Sequence, residues 1–247
     1  MPEDDKEIQM IDSELPARAR NLSGDIVDTS PAPEPERVVH TGRFVTLEPL
    51  DADRHGDELW EVAGDPAADD SWTYLGYGPW NSKEEYISWI RTQQESIDPL
   101  FFAFRDNATG RAVGTGTLMR ITPEARCIEV GHLWFSLKLQ RTPAATEAIY
   151  LLIKHSFDLG YRRMEWKCNA LNEPSRRAAR RFGFTYEGTF YQHMFAKGRN
   201  RDTAWYSILD CEWPAIDAAF RVWLAPENFD ENGVQRRALI DLTASLA

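Results

Sequence analysis

The sequence predicts a mixed α/β fold of the α+β kind: a twisted, mostly antiparallel sheet with one central parallel strand pair, flanked by helices. Three observations carry this expectation. Strand-like runs at 100–105, 112–121 and 126–136 follow one another across short turns, which makes an antiparallel meander. The stretch from Cys127 to Gly188 then reads as strand, tight loop, long helix, strand, short helix and Gly-Phe turn, and a strand–helix–strand crossover joins parallel neighbours. Two last runs, 185–190 and 204–210, close the sheet as an antiparallel pair.

The elements follow in chain order. Residues 1–36 hold ten acidic side chains against Lys6, Arg18 and Arg20, lack aromatics and end in PAPEPE. Such a segment cannot bury enough apolar surface to offset chain entropy, so a disordered acidic tail is expected, with order from Arg37. Arg43–Leu50 alternates apolar and polar residues and ends at Pro49, as a first or edge strand does. Asp51 offers an N-cap for a helix to Ala63, and Asn81 one for an amphipathic helix carrying Tyr86, Trp89 and Ile90. Between them, SWTYLGYGPW fits neither helix nor strand. Its Trp72, Tyr74, Tyr77 and Trp80 either pin a loop to the core or wall an acceptor pocket. The Asn107–Gly110 turn joins the first two strands of the meander. A helix over 144–159 stops at Gly160, and a short helix, 174–181, has Pro in its first turn. Tyr191–Asp202, which includes His193, is expected as the loop joining the last two strands. The main domain then spans 37–211, and 212–247 supplies a helix (213–223) and a tail packed on it.

Composition narrows the function. With 247 residues, 43% of them hydrophobic, and 12 Phe, 9 Trp and 8 Tyr, the chain can bury one sizeable core. The net charge of −11 leaves no concentrated basic footprint of the kind nucleic acid requires, and suits cationic amines better. Cys127, Cys168 and Cys211 stand far apart, with no CxxC or HExxH spacing, so neither a metal nor a disulfide framework is expected. No apolar run approaches the ~18–20 residues of a membrane span. A cytoplasmic protein with buried thiols, monomeric or homodimeric, is the expectation.

The loop Gln140–Thr146 opens the long helix. Backbone N–H groups at a helix N-terminus point outward unpaired, and the helix dipole favours an anion there. Thr142 as cap and Pro143 at the first helical position describe an ordinary helix start equally well.

Further residues carry a resemblance. Gln140-x-x-Pro143-x-Ala145 with Thr146-Glu147-Ala148, then Asn172-Glu-Pro-Ser175-Arg-Arg, then Gly183-Phe184-Thr-Tyr-Glu187-Gly188 resemble the GNAT superfamily of acyl-CoA N-acyltransferases. Within it they are similar to the ribosomal-protein-alanine N-acetyltransferase branch, as is the opening Gly42-Arg43-Phe44-Val-Thr-Leu47-Glu48-Pro49-Leu50. The resemblance covers roughly 40–210. It implies a GNAT-like sheet whose central parallel strands splay apart to admit acetyl-CoA. Pantetheine amides would pair with backbone near Phe135 and Leu137. The pyrophosphate would sit on amides of 140–146 (Arg141, Thr142, Ala144, Ala145 and Thr146), with Gln140 and Arg141 at the rim. Asn172 would hold the pantetheine arm, and Ser175 would point at the thioester sulfur. Arg176, Arg177, Arg180 and Arg181 make either a solvated basic face or, for one of them at most, a contact to the 3′-phosphate of CoA.

Two positions depart from the family pattern. Pro143 fills a usual Gly slot and removes one amide donor, for which Arg141 can substitute by charge. The tyrosine that many members place seven residues after the motif asparagine is Ala179 here, which leaves Ser175 to stabilise the thiolate. The reaction needs a base for the amine, and Glu129 stands in the central strand where the superfamily often carries one. A structural carboxylate paired with an arginine is the other reading. His132 is a second candidate base, on the opposite face from Glu129 unless Gly131 marks a bulge. The expected activity is direct acetyl transfer from acetyl-CoA to a primary amine in a ternary complex, the acceptor being a small molecule, an amino acid or a peptide N-terminus. A non-catalytic acyl-CoA-binding module that keeps the fold is the alternative.

Overall fold

The computed structural model describes residues 27–243. The acidic segment therefore lies largely outside the described residues. Contacts of the main body, which starts at Pro31, reach back before Arg37: Ala32 is buried, and its N–H donates to Pro123 O at 3.1 Å.

One eight-stranded sheet organises the body. Its strands are β1 (His40–Thr41), β2 (Val45–Pro49), β3 (Leu100–Asp106), β4 (Arg111–Thr122), β5 (Cys127–Phe135), β6 (Arg163–Asn169), β7 (Thr185–Ala196) and β8 (Arg199–Leu209). The order across the sheet is β1-β2-β3-β4-β5-β6-β8-β7, and every neighbouring pair is antiparallel except β5 and β6. The expected mixed fold, with its single parallel pair, is the observed one. That pair exists because α3 (Pro143–Asp158) carries the chain back across the sheet between the two strands.

The helices form two layers. Helices α1 (Ala52–Ala63) and α2 (Lys83–Gln94), with the 3₁₀ turn Pro66–Trp72, cover one face of β3 and β4. On the other face α3 packs across β2, β5 and β6, beside α4 (Glu173–Arg181), α5 (Trp213–Leu224) and α6 (Leu239–Thr243). Strand β3 (LFFAFRD) shows why the sheet is central. Phe102 and Phe104 enter the core under α3, while Phe101 and Ala103 enter the core under α1 and α2. A strand buried on both faces reads as a continuous apolar run. On the α1–α2 side the 3₁₀ turn reaches on to β5, where Trp72 stacks on Trp134, while Glu165 and Lys167 of β6 alternate with the residues buried under α3.

Sequence expectations fail at three places, each for a local reason. Ser82, not Asn81, caps α2, accepting from Glu85 N at 3.2 Å; Asn81 instead donates to the Glu85 carboxylate. Tyr191–Asp202 is not a loop: β7 and β8 run on as a long hairpin that turns at Lys197–Gly198, with Gly198 at φ +72. Its exposed aromatics hid the alternation that marks a strand. The stretch ending at Trp72 is a 3₁₀ helix opened by Asp65, whose carboxylate accepts from Ala67 N. Among the described residues no helix is long and apolar enough to cross a membrane.

Candidate active site

Strands β5 and β6 pair only at Cys127–Arg163, Ile128–Met164 and Glu129–Glu165, although both continue beyond that point. Past Glu129 they part, and the edge of β5 facing the gap is free to pair with an extended ligand. This is the splay expected for acetyl-CoA, and it sits against the N-terminus of α3.

The loop between β5 and α3 accounts for most of its own amides. Gln140 N donates to Ser136 O, Thr142 N to Leu139 O, and Ala145 N to the capping Thr142 hydroxyl at 3.2 Å. Pro143 has no N–H to give. The amides of Arg141 and Ala144 are left with no acceptor among the described residues, and Arg141 is held at φ +61. Two free amides at a helix N-terminus beside an exposed guanidinium suit a pyrophosphate. Leu137 lies in a turn and is exposed, and the Phe135 carbonyl accepts from Gln140 Nε2 at 2.9 Å. A ligand pairing at the Phe135 carbonyl therefore shares that oxygen with Gln140 or displaces it. Thr146 is tied down by Arg181, whose Nη1 donates to its hydroxyl at 3.0 Å.

Asn172 and Ser175 stand across the gap at the start of α4. Asn172 Oδ1 caps the helix by accepting from Ser175 N at 3.2 Å. The Ser175 hydroxyl accepts from Trp166 Nε1 at 3.0 Å and lies against Cys168, whose thiol pKa burial raises. Of the four arginines on α4, Arg176 donates to Tyr206 OH and Ala170 O, Arg177 pairs with Glu173, and Arg181 lies over Phe182 and Trp223. Arg180 makes no side-chain contact with a partner among the described residues. Ala179, where a tyrosine would stand, is fully buried.

Glu129 is the buried carboxylate at the mouth of the gap, beside the more accessible Glu165. It is 2% exposed, with Arg120 Nε at 3.3 Å and Lys167 Nζ at 3.4 Å from its Oε2. Burial pushes its pKa up to about 7, against the pull of Lys167 and Arg120. A carboxylate that titrates near neutrality can accept an amine proton at working pH. Sequence reasoning named Glu129 but neither cation. Lys167 had a signal: β6 alternates, with Met164, Trp166 and Cys168 buried under α3 and Glu165 and Lys167 on the open face. Arg120 had none. It sits in a bulge opposite Ile128, at φ +48, where Asp98 accepts from Arg120 N (2.8 Å) and Ile121 N (3.1 Å). That grip turns the arginine toward Glu129. Arg120 also lines a cavity of about 260 Å³ on the open face with Arg163, Glu165, Glu187, Phe190 and Trp205.

His132 lies in a second bulge. Gly131 pairs with Thr117 and Trp134 with Thr115, so two residues of β5 oppose Gly116, and His132 takes φ +47. Its ring stacks on Tyr77 (centroids 5.6 Å apart, planes 3° apart), with Nδ1 3.1 Å from the tyrosine hydroxyl. Burial, with Lys167 and Arg201 nearby, lowers its pKa to about 4.

The four aromatic residues of the loop have different fates. Trp72 is core, stacked on Trp134 at 4.6 Å, and Trp80 packs on Trp72, Tyr86 and Trp89. Tyr77 backs His132. Tyr74 alone reaches across the gap, donating to Leu171 O at 3.1 Å. From the other side Lys197, at the hairpin tip, donates to Trp72 O at 2.8 Å. His193 contacts the rings of Phe190 and Trp205. Among the described residues no group of three or more His, Cys, Asp and Glu converges as a metal site would.

Comparison with known proteins agrees with this geometry. A family model described as an acetyltransferase (GNAT) domain matches residues 45–185. A crystal structure of a GCN5-related N-acetyltransferase from Brucella melitensis is 49% identical, with a TM-score of 0.86 over 87% of this chain and 98% of that one. A protein from Chromobacterium violaceum, described as a probable acetyltransferase of the GNAT family, is 40% identical, with a TM-score of 0.70 over 75% and 92% of the two chains. A Salmonella typhimurium acetyl transferase, described as modifying the N-terminal serine of a 50S ribosomal subunit protein, shares the fold at 21% identity and a TM-score of 0.58, over 68% and 96%. No curated protein matches the chain.

Proposed function

The chain belongs to the GNAT acetyltransferase family, and from that premise we propose that it transfers acetyl from acetyl-CoA directly to a primary amine, with Glu129 as the base. The observation that carries the assignment is the position of Glu129: buried, titrating near 7, and at the level where β5 and β6 part.

Acetyl-CoA supplies the acetyl group as an activated thioester. The splay and the free amides of Arg141 and Ala144 suit its pantetheine and pyrophosphate. The amine nitrogen bonds to the thioester carbonyl carbon as its proton passes to Glu129, and the C–S bond then breaks. The Ser175 hydroxyl is the donor available to the departing sulfur, a hydrogen bond rather than a full proton transfer. His132 does not serve as the base in this reading. Its imidazole is already neutral above about pH 4, too weak a base to hold the amine's proton near neutrality. Its stacking on Tyr77 makes it a wall of the acceptor side. Direct transfer is supported by the cysteines: Cys127 and Cys168 both have pKa values raised by burial, the reverse of an activated nucleophile.

The test is calorimetric titration with acetyl-CoA together with a thiol-release assay over a panel of primary amines. Binding followed by amine-dependent release of CoA, lost in Glu129→Gln, is the expected result. Acetyl-CoA binding with no transfer to any amine would make the chain a CoA-binding module instead, a reading that Pro143 and Ala179 keep in view.

A further inference from the structure

Three donors along β8 have nothing to bond. The Nε–H of Arg201, the hydroxyl of Thr203 and the indole Nε1–H of Trp205 are each buried and without a hydrogen-bond partner among the described residues. They occupy alternate positions of one strand, so they share a face of the sheet. It is the face of the candidate base. Lys167 pairs with Trp205 across β6 and β8 and holds its ammonium 5.4 Å from the indole ring centre, while reaching Glu129 at 3.4 Å. Arg120 approaches the same indole at 5.5 Å.

Buried donors in folded proteins nearly always find acceptors, and three consecutive orphans call for a cause. Arg201 sharpens the point. Arg120, Arg163 and Lys167 each pair with a carboxylate, but no carboxylate pairs with Arg201 among the described residues. Its charge reaches His132 together with that of Lys167, which sets both cations beside the aromatic wall of the acceptor side. Four cations, Arg120, Arg163, Lys167 and Arg201, thus stand against three carboxylates, Glu129, Glu165 and Glu187, and Arg201, beside His132, is the one left over. A site with more cations than anions and spare donors draws an anion.

We propose that the acceptor carries an anionic group, a carboxylate or a phosphate monoester, a few bonds from its amine, and that Arg201, Thr203 and Trp205 recognise it with Lys167. This rests on the amine-acetyltransferase reading and adds the substrate class to it. A carboxylate offers about four lone-pair sites, enough to satisfy the row and the ammonium together. The anion also fixes the amine's register, so that the nitrogen meets Glu129 and the anion stays with the cations. The negative overall charge, which suits cationic acceptors, does not describe this local surface.

The experiment uses matched amines: glycine, β-alanine and O-phosphoethanolamine against glycinamide, β-alaninamide and ethanolamine. Each is titrated calorimetrically into the protein saturated with CoA, and each is assayed for turnover with acetyl-CoA. The anionic amines should bind at least about tenfold more tightly than their neutral partners, the scale of a charge-assisted hydrogen bond. Carboxylate and phosphate arms separate the two anions. Arg201→Gln should erase the preference by raising KM for the anionic amines alone, and Arg201→Lys should keep part of it. Equal binding of the neutral partners overturns the inference. So does an Arg201→Gln variant whose kcat falls equally for both series, which would assign the guanidinium to the reacting carbonyl. Selective anion binding without turnover of any amine would uphold the anion site and overturn the catalytic reading instead.

Discussion

Glu129 and Glu165 stand side by side at the last paired position of β5 and β6. Two carboxylates abreast on a sheet repel, and the structure separates their circumstances. Glu165 takes Arg163 at 2.7 Å, and Glu129 takes Arg120 and Lys167 under near-complete burial. Burial is the largest influence on Glu129, and the charge of Glu165 adds to it. One acid is thereby a half-buried ion-pair member and its neighbour a group poised near neutrality.

Replacing Glu129 by Gln removes the proposed base and keeps the shape. The rate of acetyl transfer should fall by about 10²–10⁴-fold, the usual contribution of a positioned proton acceptor. Because the carboxyl must be ionised to act, kcat/KM of the wild-type protein should rise with pH through about 7 and then level. A profile from pH 5.5 to 9 checks both points. The limb should vanish in Glu129→Gln, and persistence of the limb in that variant would place the base elsewhere.

Lys167→Met should move the limb, not remove it. The ammonium 3.4 Å from Glu129 lowers the carboxyl pKa, so its loss raises the pKa above about 7 and displaces the limb to higher pH, by about one unit or more. Arg120→Gln should act in the same direction but less, since that side chain is 51% exposed and partly screened by solvent. The two pH profiles, compared with wild type, decide the order.

The sequence carried the sheet, the crossover and Glu129 because each is written locally: apolar runs, a capped helix start, a carboxylate in an apolar strand. Arg120 was invisible because its direction depends on a bulge that Asp98, on a different segment, holds in place. The outer part of the β7–β8 hairpin, residues 191–200, was hidden because both its faces are largely exposed, which erases the alternation of buried and exposed residues. The aromatic loop shows the limit from the other side. Trp72 and Tyr77 lie five residues apart with similar chemistry, yet one stacks inside the core on Trp134 and the other backs His132 at the gap. Nothing in the local sequence separates them.

Acid should weaken the fold through buried histidines. His40 packs on Phe102 and His155, and burial, with His155 adding to it, lowers its pKa to about 4; His132 is lowered to about 4 as well. The unfolded chain protonates these rings near 6.5, so between 6.5 and about 4 it binds more protons than the native state, and stability falls as pH drops through that window. Glu129 works oppositely: its raised pKa makes the native state hold a proton longer, so its contribution falls as pH climbs from the ordinary carboxylate range through about 7. Urea midpoints measured from pH 4 to 8 should decline on the acid side, and His40→Phe should flatten that decline. An acid limb of the same depth in His40→Phe would clear His40 of the effect.

Glu147 links the N-terminus of α3 to the first strands. It is buried in the first turns of α3, and its carboxylate accepts from the backbone N–H of Arg43 (2.8 Å), Phe44 (2.5 Å) and Val45 (3.0 Å). Glu147→Ala strands these donors at the turn before β2 and should cost about 3–5 kcal/mol, several times the ~1 kcal/mol net value of an ordinary hydrogen bond. Gly42→Ala attacks the same joint from the other side, because a Cβ there would fall 2.5 Å from Glu147 Oε2. Chemical denaturation should rank both variants well below wild type. The same joint fixes where α3 begins, so the KM for acetyl-CoA should rise in the folded fraction of each variant while the pH limb set by Glu129 stays in place. A shift of that limb would mean that the joint reaches the base as well as the nucleotide loop.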